Sequence, residues 1–189
     1  TSRVRFVDPG RLYRALKNEL DGAYFEVMER GDLIDRGQLQ RFEENLATFV
    51  GAKYAVGLNS GYDALHMSLR AAGIGAGDEV IVPAHTFVAT CSAVVNVGAT
   101  PVLVDVADDF NIDAARIEEA ITHRTKGIIP VHLSGWMADM PAVMAIASRH
   151  GLTVVEDACQ SLGSSINGKR AGSIDPERER RLRSLGYIK

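Results

Sequence analysis

Five short apolar runs alternate with stretches of helical periodicity, and this alternation constrains the fold more than any other feature of the chain. The runs are Tyr54–Leu58, Glu79–Val82, Pro101–Val106, Lys126–His132 and Leu152–Glu156. When helical patterns of about ten residues separate such runs, the stable solution is a mainly parallel sheet of βαβ units. Nearly continuous apolar runs are expected when both faces of that sheet are covered by helices. Helices are predicted over Ser60–Ala72, Thr86–Val97, Asp113–Thr122 and Asp139–His150, with Gly98 and Gly151 past two of their ends. Ahead of them, Leu12–Arg30 places Leu12, Leu16, Leu20, Ala23, Phe25 and Val27 on a broadly helical stripe. Gly31-Asp32 breaks that helix, and a second amphipathic one runs from Gln38 to Val50 before Gly51. The class is α/β.

At 189 residues the chain is long enough for one well-cored domain. Its net charge of -3 supplies no basic field for nucleic acid. No apolar stretch reaches the roughly 20 residues that span a bilayer, and Thr1–Gly10 carries charges where a signal peptide needs an apolar core. A cytoplasmic protein is expected. Cys91 and Cys159 have no metal-ligand spacing and read as reduced, small core side chains.

In an open parallel sheet, ligands sit beyond the C-terminal ends of the strands. Three stretches fall there. Asn59-Ser60-Gly61-Tyr62-Asp63 joins a strand to a helix start, where unpaired N–H groups and a glycine suit an anion; an ordinary cap, Ser60 with Asp63 reaching back, fits equally. Pro83-Ala84-His85-Thr86-Phe87 offers Phe87 as a ring to stack on a flat ligand or as a core residue, and His85 as a pocket or loop residue. Glu156-Asp157-Ala158-Cys159-Gln160 ends the fifth run in two acids. Asp157 suits a protonated heteroaromatic nitrogen, or caps the next helix as a surface acid; Gln160 is placed to bond the same ligand, and Glu156 points the other way along the strand. An anion cradle, a stacking ring and an acid together describe a site for a planar, phosphorylated, nitrogen-containing cofactor, and pyridoxal phosphate fits.

The ordered stretches FEENLATFVGAKYAVGLNSGYDALHMSLRAAGIGAGDEVIVPAHTFVAT, GATPVLVDV, NID, IIPVHLSG, VVEDACQSLG and GKRAGS resemble the N-terminal half of the DegT/DnrJ/EryC1/StrS family, pyridoxal-phosphate aminotransferases of nucleotide-linked keto sugars. The resemblance implies an incomplete large domain of the aspartate-aminotransferase-like, fold type I architecture over residues 1–173. It implies that Ser60, Gly61 and Tyr62 hold the cofactor phosphate, Phe87 stacks on the ring, Asp157 pairs with the pyridine nitrogen and Gln160 meets the ring hydroxyl side. Many members have Thr where this chain has Tyr62, which leaves the phosphate to backbone amides. The partners implied are a nucleotide sugar, an amino-acid donor and a second copy in a homodimer.

The family's Ser-Phe stretch and Schiff-base lysine have no match here: the pattern is lost after Gly172-Ser173, and residues 174–189 read as an unrelated, charged, Arg-rich terminal helix. The expectation is a half site, inactive alone, with its first strand lacking a neighbour and exposing apolar surface. The alternative is a non-catalytic remnant or interaction module that pairs with a full-length relative.

Overall fold

The structure, a computed structural model, describes residues 7–31, 33–34 and 37–173. The expected tail helix therefore lies outside the described residues. Two compact units make up the chain, Thr1–Asn45 and Leu46–Lys189.

The first unit holds helix α1, Pro9–Arg30, and most of α2, Gly37–Val50. Asp8 caps α1 by accepting from the Arg11 N–H, Pro9 sits in the first turn where its missing N–H costs nothing, and Gly31 closes the helix at φ 68. α1 buries none of its side chains, and Leu12, Leu16, Leu20, Tyr24 and Met28 run along it exposed at four-residue steps.

The second unit is built on a parallel four-stranded sheet of order β2-β1-β3-β4. The strands are β1 Glu79–Pro83, β2 Thr100–Val104, β3 Thr125–Ile128 and β4 Thr153–Val154, joined through α4 Val88–Asn96, α5 Ala114–Ile117 and α6 Met140–His150, with α3 Gly61–Ala71 ahead of β1. Side chains alternate across a strand, so β1 feeds two cores. Val80 and Val82 join Leu65, Leu69, Ala93 and Val94 of α3 and α4, while Ile81 joins Ile117, Met140, Val143 and Ile146 of α5 and α6. Both faces are covered, as continuous apolar strands require. Pairing continues past β3 and β4: Asp157 N–H donates to Pro130 O at 2.9 Å and His132 N–H to Asp157 O at 3.1 Å.

Three sequence expectations are corrected. The predicted strand Tyr54–Leu58 does not form, and Tyr54, Val56 and Leu58 are exposed. An extended run becomes a strand only beside a neighbour's backbone, and the sheet of described strands ends at β2 and β4. The helix predicted over Asp113–Thr122 is shorter: Asp113 caps α5, but the chain tightens into a 3₁₀ turn at Glu118–Ala120. Cys159 is not a core side chain; it is exposed, whereas Cys91 is half-buried against the α3/α4 core. An unexpected hairpin, β5 Ser165–Ile166 and β6 Lys169–Arg170, turns on Asn167-Gly168, both at positive φ as a two-residue hairpin loop demands.

Candidate functional site

The loops beyond β1 and β4 and the start of α3 meet at one place. Asp157, 7 % exposed, ends the pairing between β3 and β4. Its Oδ2 accepts from Thr90 Oγ1 at 2.9 Å and its Oδ1 from the Cys159 N–H at 3.3 Å. It is a buried acid rather than a surface cap, and among the described residues it has no cationic partner.

Thr90 lies in the first turn of α4, and its N–H donates to Phe87 O at 3.1 Å. Phe87 starts that helix from an extended conformation and is 69 % exposed, so it is not a core residue. His85 is exposed and meets Phe110 edge-on, ring centroids 5.9 Å apart.

The start of α3 is tied to the acid's loop by contact. A Cβ on Gly61 would come within 2.6 Å of Cys159 Sγ, so a larger residue there would push the cysteine side chain aside. Desolvation, reinforced by a hydrogen bond to Asp157 and by its charge, pushes the Cys159 thiol up to about 11. Ser60 is the expected cap: its Oγ accepts from Asp63 N–H at 3.1 Å and donates to Asp63 Oδ2 at 2.9 Å. The Ala64 N–H goes to Ser60 O, which leaves the amides of Gly61 and Tyr62 facing out of the helix start. The Tyr62 side chain turns along α3 instead, its hydroxyl accepting from Asn96 Nδ2 at 2.8 Å and its ring stacked on His66.

Gln160 is exposed, and its Oε1 accepts from the Ser134 N–H at 2.7 Å. This holds the turn after β3, where Ser134 has φ 54, and leaves the Gln160 amide N–H groups as its remaining donors. Glu156 faces the opposite side of the strand, where it accepts from fully buried His132 and from the Gly172 N–H at 2.9 Å. The Ala138 N–H donates to His132 Nδ1, so the ring proton sits on Nε2 and points at Glu156.

Thus Ser60, Gly61, Tyr62, Phe87 and Asp157 belong to segments joined by direct contacts, with Gln160 in the acid's own loop. Sequence reading missed Thr90, Thr86, Ser134 and the Gly61–Cys159 contact. The four-residue spacing of Thr86 and Thr90 at a helix start was the one available signal.

A parallel α/β sheet carrying a buried acid at its C-terminal edge defines a class, and comparison with known proteins narrows it. The DegT/DnrJ/EryC1/StrS aminotransferase family model matches residues 15–177, and the chain belongs to that family. The dTDP-3-amino-3,4,6-trideoxy-alpha-D-glucose transaminase of Streptomyces venezuelae is 45% identical over 174 residues, 92% of this chain and 46% of that protein. Among solved structures, DesV of S. venezuelae superposes with a TM-score of 0.92 at 40% identity, over 98% of this chain and 57% of that one. NtdA of Bacillus subtilis, with bound cofactor PMP, gives 0.85 at 40% identity, over 90% of this chain and 40% of that one. The fold is that of the fold type I transferases, and the chain spans about half the length of the curated relatives it matches. No described helix is long and apolar enough to cross a membrane.

Proposed function

We propose that this chain carries the ring- and phosphate-binding half of a pyridoxal-phosphate site in an aminotransferase of nucleotide-linked keto sugars. The observation that carries this reading is Asp157: a buried carboxylate at the ligand edge of the sheet, held by neutral donors and without a cation of its own among the described residues. Burying such a charge is costly unless a positive partner joins it, and a protonated pyridine nitrogen is that partner.

The donor set fits the cofactor. The amides of Gly61 and Tyr62 would hold the phosphate at the positive end of α3. The exposed face of Phe87 would cover the ring and keep water from it. Gln160, its oxygen engaged by Ser134, would donate its amide N–H to the ring hydroxyl oxygen. Asp157 would hold the proton on the ring nitrogen. When bound, pyridoxal phosphate supplies the electron sink through which an amino group passes from an amino-acid donor to a sugar keto group.

Three described lysines of the second unit have other surroundings. Lys126 lies at the start of β3, the opposite end of the sheet from Asp157, Lys169 is on the β5–β6 hairpin and Lys53 is beside the Tyr54 ring. The reading gives the described residues cofactor binding. Titration with pyridoxal phosphate, followed by quenching of the single tryptophan, Trp136, tests it. Saturable binding that is lost in Asp157→Ala is expected; binding indifferent to that change, or none, sinks the reading.

A second reading is favoured by α1. Its exposed stripe from Leu12 to Met28 suits a module that docks on a second copy or a full-length relative. It predicts association, measured by sedimentation, that is abolished by Leu16→Glu with Leu20→Glu.

A further inference from the structure

We propose that Thr90, backed by Thr86, is the positioning residue that sets the Asp157 carboxylate at a fixed orientation beside the stacking ring; this rests on the cofactor reading above. Thr90 is fully buried, and its hydroxyl does not fold back on its own helix, the usual resort of a buried helical threonine. It crosses to Asp157 Oδ2, 67 residues away in sequence, at 2.9 Å. Its backbone N–H meanwhile bonds Phe87 O. One residue thus joins the ring's backbone to the acid's side chain and sets the spacing between them.

The direction of the hydroxyl chain follows from proton counting. A threonine hydroxyl has one proton, and an ionised carboxylate only accepts. Thr90 therefore spends its proton on Asp157, and at 3.0 Å it is Thr86 Oγ1 that donates to Thr90 Oγ1. Both dipoles point at the acid, and such chains strengthen cooperatively in a buried setting. With the Cys159 N–H of its own loop on the other oxygen, Asp157 is held on both oxygens and its remaining lone pairs are aimed rather than free to rotate.

Thr90→Val keeps the shape and removes the hydroxyl, and Thr90→Ser returns it. In the full chain, Thr90→Val is expected to weaken pyridoxal phosphate binding about tenfold, the loss of one hydrogen bond to a charged group. Thr90→Ser should lie within about threefold of wild type, and Thr86→Val should weaken binding about threefold. A second readout needs no cofactor: the carboxyl carbon resonance of Asp157, assigned with Asp157→Asn, should move in Thr90→Val and return in Thr90→Ser. Wild-type affinity in Thr90→Val, or an unmoved resonance, overturns the proposal while leaving the cofactor reading intact. If wild type binds no cofactor, that reading falls, and this role with it. Should Thr90→Val not fold, Thr86→Val decides: unchanged affinity together with an unchanged resonance overturns the proposal.

Discussion

Two buried carboxylates stand at opposite ends of the same sheet, and they are treated differently. Glu79, at the start of β1, is 4 % exposed and bonded by Thr122 Oγ1 and the Arg124 guanidinium. Asp157, beyond β4, is as well buried and receives only neutral donors. A buried charge that meets a cation within its own fold is complete. One that is oriented by hydroxyl and amide alone is complete only with a cation from outside, and this difference separates a structural acid from a binding one.

The most direct way to break this comparison is to neutralise each acid and measure the same ligand. Asp157→Asn should weaken pyridoxal phosphate binding by about a hundredfold, since a charge-assisted hydrogen bond to the ring nitrogen is lost. Glu79→Gln should leave the affinity unchanged. Equal losses in the two variants would mean that both acids act only through stability.

Cys159 reports on the same charge from inside the site. With the thiol pushed up from 9.0 to about 11, alkylation by iodoacetamide at neutral pH should run up to about a hundredfold slower than for an ordinary thiol, because the thiolate reacts. The rate should climb with pH through that region. Asp157→Asn removes the negative charge and leaves only a weaker amide acceptor, so the thiol falls part of the way back toward its ordinary value, desolvation remaining, and reacts faster. Peptide mapping separates it from Cys91, which desolvation also raises.

Gly61→Ala tests whether the start of α3 is tied to the acid's loop. Its Cβ would meet Cys159 Sγ, so a loss of about 1–3 kcal/mol in denaturant unfolding is expected, as for other overpacked sites. Adding Cys159→Gly should restore much of it, a non-additivity found only between residues in contact. Additive losses would separate the two segments.

How much of this was readable follows from where each interaction's partner lies. β1 was legible because residues buried on both faces leave an apolar run in the chain itself, and the edge strand β2 kept such a run although Leu103 is exposed. Tyr54–Leu58 has the same composition but no described strand beside it, and composition does not record a neighbour. Asn167-Gly168 is a hairpin signal carried by the chain locally, with no distant partner needed. Phe87 and Asp157 could be placed at strand ends, yet the Thr90 bond that holds the buried acid forms only through the fold.

The smallest effect is expected at the other acid, and its sign is fixed. The Thr122 hydrogen bond, with Arg124 beside it, holds the Glu79 carboxyl below its ordinary value of 4.5 against the opposing cost of burial. A carboxyl depressed on folding adds stability above its unfolded value and loses it as pH falls toward the folded one. Wild type should therefore lose melting temperature below about pH 4.5, where Glu79 begins to take up protons in the unfolded chain. Glu79→Gln cannot titrate, so its melting temperature should fall less steeply there. At neutral pH the loss should be modest, because the glutamine oxygen still accepts from Thr122 and the largely exposed Arg124 returns to water. Parallel curves for the two proteins would remove Glu79 as the acid-sensitive group and leave the contrast with Asp157 resting on ligand affinity alone.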